Sequence, residues 1–594
     1  MSFPPPITAM KLRVSSGASP NDVPYEQNIT HAHTGLNTVP ITPELVSTLN
    51  GLPAGTIFTP SIVTTYGGDS LTTVYTTSVS NFVTKKITPT ISLANIPNKF
   101  ISDAPFSLSS FIVTDSTGAL SYSSSLSSVA TVSSAGLVTI VGTGTTTITV
   151  NQAASTNGVY SAATPVSSSF QVQQLPAKEW RQRGFDIDGE AANDNSGYSV
   201  SLSSDGTTLA IGAPYNDASG NLLTNAGHVR VYFWDTTVTP NKWTKRGLDI
   251  DGEAVGDWSG YSVSLSSDGT ILAIGARLNA GNGSNAGHVR VYYWDTTVTP
   301  NQWTKRGLDI DGEAEGDQSG WSVSLSSNGS IVAIGAPYNL HYRGHVRVYE
   351  WNGTTWVQRG ADIDGEAEYD QTGYSVSLSS DGSTLAIGAT WNDASGSDAG
   401  HVRVYYWDTT DTPNKWTKRG LNIDGEAGND YSGWSVSLSS DGTTLAIGAP
   451  YNNASGNLLP YAGHVRVYYW DTTVTPNRWT KRGLDIDGEA AIDLSGWMVS
   501  LSSDGTTLAI GAPLNDPSGN LLPNAGHVRV YYWDTTVTPN KWTKRGLDID
   551  GEAVDDWSGY SVSLSSDGTT LAIGGPLNNG NGSDAGHVRV YKYD

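Results

Sequence analysis

The sequence predicts an all-β protein whose larger, C-terminal part is a seven-bladed β-propeller of four-stranded blades, and three observations carry that prediction. First, the stretch WTKRGLDIDGEAVGDWSGYSVSLSSDGTILAIGARLNAGNGSNAGHVRVYYWD, beginning at Trp243, occurs with small changes seven times between Trp180 and Asp594. Second, the tryptophans that open the copies (Trp180, Trp243, Trp303, Trp356, Trp416, Trp479 and Trp542) set a period of 53 to 63 residues. Short alternating runs broken by Gly, Asp and Asn at such a period mark a propeller or solenoid array, because one copy cannot bury its own apolar faces. Third, the first copy opens with an outer strand, Trp180 to Asp188, while the last stops at Tyr593-Asp594 without one after it. The N-terminal strand is therefore expected to complete the final blade beside Val588 to Tyr593, removing two exposed sheet edges.

Each copy reads as four strands. Tyr198 to Ser203 alternates large apolar residues with serine, so one face is apolar and the other admits a close neighbour. Asp205-Gly206 makes a tight hairpin into Thr208 to Gly212. A variable loop leads to His228 to Tyr232, and a Thr-Pro-Asn loop leads to the strand at Trp243. Length differences fall after Ile-Gly-Ala and after Tyr-Trp-Asp, where loops accept insertions that strands do not.

At these residues the chain resembles the FG-GAP repeats, the blades of the integrin-α type propeller. The matching residues are Ser196-Gly197-Tyr198-Ser199-Val200, Asp205-Gly206, Ile211-Gly212-Ala213-Pro214 and Gly227 to Tyr232. The resemblance covers about 415 residues of 594 and recurs in every copy. Serine (Thr372 in the fourth copy) stands where the family has Phe. The family's calcium cage, a D-x-D-x-D-G-x-x-D pattern between the first two strands, is absent, so its calcium sites are not carried over.

Ahead of the propeller, residues 87–175 are expected to form an Ig-like β-sandwich. Val129 to Ile140 and Gly142 to Val150 give two alternating strands with glycine turns, a pattern that resembles the bacterial Ig-like fold of group 2. The resemblance implies a spacer or adhesion stalk. Residues 1–86 are rich in Pro, Asn and Thr with little periodicity, and read as an irregular anchoring segment with short β-like runs at 56–84. His31 and His33 lie one residue apart without a third ligand nearby, which is a poor metal site. Residues 176–594 form the propeller.

Charge narrows the partners. The formal net charge is −23, and residues 1–175 hold only 5 basic and 6 acidic side chains, so the propeller carries about −22. Nucleic acid and anionic membrane both need basic surface and are excluded as partners. There is no cysteine, hence no disulfide or thiolate chemistry. The N-terminus lacks the apolar core of a secretory signal, and no apolar run is long enough to insert in a membrane. The Asn-x-Ser/Thr sites (Asn28, Asn282, Asn328, Asn352, Asn453 and Asn581) read as chance sequons in an Asn/Ser/Thr-rich chain.

The acidic turn Asp186, Asp188, Glu190 and Asp194 recurs in every copy, with Asn422 replacing one aspartate. Carboxylates this close offer oxygen ligands to a hard cation such as calcium. They equally serve to cap backbone N–H groups between blades, or to pair with Arg230 and Arg246, and the repetition in all copies favours a framework role. The histidines of the HVRVY strands sit on separate blades and are expected to pack beside arginine and tyrosine. No hydrolase elbow, zinc-protease, P-loop or dinucleotide motif is present, and no carboxylate pair breaks the sevenfold pattern, so an enzyme is not expected. Tyr198 and its equivalents read as inter-blade packing. Tyr215, Tyr338, Trp391, Tyr451 and Tyr461 lie in variable loops among Asn, Asp and Gly, and are the candidate ligand-binding residues.

Together these features point to a non-enzymatic display protein. An N-terminal anchor joins a larger surface assembly through protein partners, and the propeller meets a host receptor or glycan outside. Near-identical FG-GAP arrays joined to Ig-like units resemble surface proteins of large DNA viruses and marine bacteria. The expected setting is a virion surface, as a spike or capsid-associated component, with an extracellular or cell-surface site as the alternative. A soluble, multivalent lectin is the competing function.

Overall fold

In the computed structural model the described residues are 86–594, apart from 102, 104, 157–159, 175–177, 219–221, 454–458 and 518–521, together with five strands nearer the N-terminus. They are all-β, arranged in many small sheets. The chain divides into two compact units, Met1–Ala177 and Lys178–Asp594.

In the first unit the strands Tyr25–Ile29, Ile7–Ser15, Ile57–Tyr66 and Thr73–Tyr75 form a sheet in that order, with Phe82–Val83 also paired to Ile57–Tyr66. The expectation of an irregular segment at 1–86 is corrected to this extent. The alternation Met10-Lys11-Leu12-Arg13-Val14 carries the period of a strand, and a Pro- and Asn-rich setting masked it. His31 and His33, and the parts of 1–85 between these strands, lie outside the described residues. The remainder of the unit is Ig-like. One sheet joins Leu120–Ser124, Gly144–Gln152, Val166–Gln173 and Lys99–Phe100, and another joins Ala130–Val132, Leu137–Ile140 and Phe106–Ser107. Between them lies a core of Leu108, Val138, Ile148, Phe170 and Val172.

The second unit contains seven sheets of one design. In the sheet after Tyr198 the order is Ser199–Leu202, Thr208–Ala213, His228–Asp235 and Lys242–Lys245. A fifth piece, Ile250–Asp251, pairs back onto the third strand (Val229 with Ile250, His228 with Asp251). The outer strand is thus broken in two around Arg246 and Gly247, a refinement of the four-stranded expectation. The Asp-Gly hairpin forms for local reasons. Gly206 takes φ 65°, and Asp205 accepts from the Thr207 N–H at 2.9 Å and the Ser203 hydroxyl at 2.7 Å.

Three sets of contacts tie each sheet to the next, and each set runs in a cycle. The serine hydroxyl of one first strand accepts the leucine N–H of the next: Leu265 N–H to Ser201 at 3.0 Å, then on around to Leu202 N–H to Ser563 at 2.9 Å. At the hairpin end, Ser204 N–H donates to Ser267 O at 2.8 Å, and the series continues until Ser566 N–H donates to Ser204 O at 2.9 Å. At the outer edge, each opening tryptophan donates its indole N–H to an arginine carbonyl of the neighbouring sheet, as Trp303 does to Arg246 at 2.9 Å. That arginine's guanidinium lies over a tryptophan pair, 4.9 Å from Trp294. Trp180 completes this set by donating to Arg545 O at 2.8 Å, and Trp180–Gln182 pairs with the last strand from Tyr591 to Tyr593.

Glycine permits the close approach. A Cβ at Gly212 would lie 2.0 Å from Gly260 O, and one at Gly574 would lie 2.0 Å from Gly197 O. Between the sheets, Leu, Ile and Val of the second and third strands form one apolar cluster per interface, for example Ala210, Val229, Val231, Leu272 and Ile274.

Candidate functional site

The first strands present their N-terminal ends to a shared cavity of about 250 Å3, lined by Tyr or Trp, Ser and Val of six sheets and by Trp497 and Met498 of the other. Tyr198, Tyr261, Trp321, Tyr374, Trp434, Trp497 and Tyr560 form its collar. Successive rings, including Tyr560 back to Tyr198, lie 4.6–5.5 Å apart, within the contact range of tilted aromatic pairs. These residues were expected only as packing, yet all are half-buried. Burial and neighbouring phenols hold the hydroxyls of Tyr198, Tyr261 and Tyr560 well above the ordinary tyrosine range, so the collar is uncharged near neutrality. The other end of the strands meets a smaller cavity of about 140 Å3 lined by Leu and Ser, such as Leu202 and Ser204.

Above the collar the chain takes an unusual conformation. The residue before each Ser-Gly or Thr-Gly step is left-handed: Asn195, Trp258, Gln318, Gln371, Tyr431, Leu494 and Trp557 have φ between 52° and 57°. Each donates its N–H to a residue of the preceding loop that is also left-handed. Trp258 pairs with Asn225 (φ 50°), Gln371 with Tyr342 (φ 62°), and Leu494 with Tyr461 (φ 55°). A left-handed non-glycine residue costs about 1 kcal/mol, more readily borne by Asn or Asp than by Trp, Tyr or Leu. These paired turns carry residues that differ widely from copy to copy, over a collar that stays aromatic throughout.

Of the five sequence-predicted aromatic residues, all reach this mouth. Tyr215 lies 4.6 Å from Trp258 and 6.3 Å from Tyr198. Tyr338 lies 5.3 Å from Trp321 and 5.2 Å from Tyr342. Tyr451 contacts Trp434 at 5.6 Å, Tyr431 at 5.1 Å and Tyr461 at 6.0 Å. Trp391 sits 5.9 Å from Tyr431. Tyr461 and Trp391 keep 47% and 40% of their surface exposed. Sequence reasoning missed Trp258, Tyr342, Tyr369, Tyr431 and Trp557, which extend the same network. The signal was available in the position before Ser-Gly, which varies through Asn, Trp, Gln, Tyr and Leu while its neighbours stay fixed.

The acidic turn disperses. Asp194 is buried and caps the Ala191 N–H at 2.9 Å. Asp186 and Asp188 stand beside His587, their ligand-capable atoms within 4.8 Å of one another. Glu190 instead joins His228 and Asp249 in the next interface. Two cations already face that group: Lys245 Nζ lies 2.5 Å from Asp249 and 3.6 Å from Glu190, and Arg230 Nη1 lies 3.7 Å from Glu190. The four predicted ligands do not converge on one point. Arg230 also donates to Asp188 O at 2.7 Å, as a framework role requires. Arg246 does not join the acidic turn but bonds Gly269 O of a hairpin at 3.0 Å. Glutamine replaces the lysine in two copies, with Gln182 donating to Asp186 and Gln358 to Asp362, both at 2.6 Å. Burial, then the neighbouring arginine, pushes His228 down to about 3 and His288 to about 4, so both are neutral.

The described sequon asparagines Asn282, Asn328, Asn352, Asn453 and Asn581 use their side chains in turns. Asn282, for example, donates to Gly312 O at 2.8 Å and Asn453 accepts from the Tyr461 N–H at 3.0 Å.

The immunoglobulin-like domain of intimin matches residues 114–154, which lie in the Ig-like part of the first unit. No curated protein matches the sequence. A solved structure from Bacteroides uniformis, named for 6-phosphogluconolactonase, is 9% identical, with a TM-score of 0.38 over 60% of this chain and 86% of that one. That degree of likeness carries no inference about activity.

Proposed function

We propose that the seven sheets form a closed seven-bladed β-propeller of the FG-GAP, integrin-α-like kind, and that it is the recognition head of a non-enzymatic surface-display protein. Closure is supported by the cyclic serine and tryptophan contacts and by the pairing of Trp180–Gln182 with the last strand. One observation carries the functional reading. A variable tier of left-handed, partly aromatic residues is held over an all-aromatic collar of Tyr and Trp at one mouth of the cavity. Backbone strain of this kind persists where it serves a site, and exposed aromatic residues with polar neighbours suit recognition. The clusters of carboxylate, histidine and lysine recur between sheets, and such regularity gives no unique acid–base pair.

The intimin-like immunoglobulin match supports a surface or extracellular setting. Within it we favour a virion spike or capsid-associated protein, with residues 1–86 binding the larger assembly and the Ig-like part acting as spacer. Antibodies against the propeller and against residues 1–86, applied to intact particles or cells, test this. An accessible propeller with a protected N-terminal segment is the expected result, and a free soluble protein overturns it.

The exposed Trp391 and Tyr461 favour a second reading, a carbohydrate-binding propeller. Glycan-array binding by the full chain, lost in Trp391→Ala, is its test; an array without signal removes it.

A further inference from the structure

The mouth is not uniform in charge. At the position after Ile-Gly-Ala, five copies carry proline at Pro214, Pro337, Pro450, Pro513 and (after Ile-Gly-Gly) Pro576, and one carries Thr390. The second copy carries Arg277. Its guanidinium stands 4.3 Å from the Trp258 ring, 4.5 Å from Tyr261 and 4.7 Å from Trp321. It reaches the variable tier as well, donating from Nη1 to the Gln318 amide oxygen.

Arg277 differs from both of the repeated arginine sets of this unit, on the third strands and at the outer edge. The strand arginines such as Arg230 and Arg290 have a glutamate within 4 Å. The outer-edge arginines such as Arg246 bond hairpin carbonyls. Arg277 has, among the described residues, no carboxylate at ion-pair distance, although the chain as a whole carries a formal −23. A planar cation stacked on indole and phenol rings is held rigidly, so little side-chain freedom is lost when its remaining N–H groups engage an anion. Acidic groups elsewhere on the chain are screened beyond a Debye length of about 8 Å in physiological salt.

The rings beside it set the rest of the ligand. Trp258 packs at a tilt against Tyr215 at 4.6 Å and stacks over Tyr261 at 6.4 Å. It is half-buried. Aromatic faces of this sort pack against the C–H face of a pyranose, and a guanidinium fits a carboxylate with paired hydrogen bonds. We propose that the sector of the mouth around Arg277, Trp258 and Tyr215 binds a carboxylated sugar, a hexuronic or sialic-type residue of a glycan, with Arg277 taking the carboxylate. The proposal rests on the reading of this mouth as a recognition surface. It differs from the multivalent lectin in assigning one site in one copy.

The test is calorimetric titration of the full chain with methyl glucuronide, methyl sialoside and the neutral methyl glucoside. At least one acidic sugar is expected to bind more tightly than the glucoside. Arg277→Gln should weaken that binding about tenfold or more, the scale of a lost charge-assisted pair, and leave the glucoside unchanged. Arg277→Lys should recover part of the loss, and Arg277→Pro, the residue of five sister copies, should match Arg277→Gln. Tryptophan-fluorescence melts confirm that the variants are folded. Equal affinity of acidic and neutral sugars, an undiminished Arg277→Gln, or no binding at all overturns the proposal. The recognition reading fails separately, if Trp391→Ala and Tyr461→Ala together leave attachment of the intact particle or cell unchanged.

Discussion

Acidification should unfold the seven-sheet unit well above the pH at which ordinary carboxylates titrate. The third-strand histidines are the cause. Burial, reinforced by the adjacent arginine, lowers His228, His464 and His527 to about 3 and His288, His401 and His587 to about 4. Lysine adds to the depression at His228, where Asp249 opposes it. In the unfolded chain each histidine has a pKa near 6.5. Between that value and the folded value the unfolded state binds more protons, so stability is full above pH 6.5 and falls as pH falls. At pH 5 each such histidine removes about 2 kcal/mol (about 1.5 pH units at 1.36 kcal/mol each). Three acting fully would cancel about 6 kcal/mol, the size of a small domain's whole stability. Burial raises Asp194, Asp430 and Asp493 instead, and these work in the opposite sense as pH falls through their folded values. All 19 tryptophans lie between Trp180 and Trp557, so their fluorescence reports this unit alone. Melts of the full chain should be level from pH 8 to 7 and drop steeply from 6.5 to 5. His288→Gln should reduce that slope, whatever it does to stability at pH 8. Constant or rising stability between pH 7 and 5 would refute the argument.

Further outcomes follow from the contacts between sheets. Ser201→Ala leaves the Leu265 N–H without its 3.0 Å acceptor, and denaturant unfolding should show a loss of about 1–3 kcal/mol. Gly388→Ala places a Cβ 2.0 Å from Gly433 O, so the variant should be insoluble or melt far below the parent. Trp180→Ala removes the bond to Arg545 O and the tilted ring contact with Tyr593 at 5.2 Å. It should cost about 3 kcal/mol or more and expose the last strand to limited proteolysis before any other part of the array. Chelator treatment should leave the melting temperature unchanged, because Lys245 and Arg230 already neutralise the Glu190 and Asp249 carboxylates; a fall of several degrees would restore the calcium reading.

Much of the scaffold was legible in the repeats. Serine alternating with Tyr, Val and Leu announced a first strand with one apolar face and one face for close approach, and Ser201 fills that part. Asp205-Gly206 announced its hairpin, and the extra outer strand at Trp180 announced the pairing with Tyr593. The site was legible only in part. Loop aromatics such as Tyr451 stand out among Asn and Gly, whereas Trp258 and Tyr431 sit inside a turn that reads as framework. What raises them to the mouth is a left-handed backbone pinned by a bond from another sheet, and that bond has no local signature. The acidic turn misled for a related reason. Neighbours in sequence, Asp188 and Glu190 point into different interfaces, because the intervening Gly189 carries the chain from one sheet to the next.

The inequality of the copies at the mouth bears on valency. A collar of interchangeable rings would offer a centrally bound ligand several orientations of similar energy, up to seven, a degeneracy worth about 1 kcal/mol by RT ln 7. The aromatic arc from Tyr215 to Tyr461, followed by Leu494, removes that degeneracy. A ligand seated there has a defined azimuth, and a seven-times-repeated scaffold presents one bearing rather than seven.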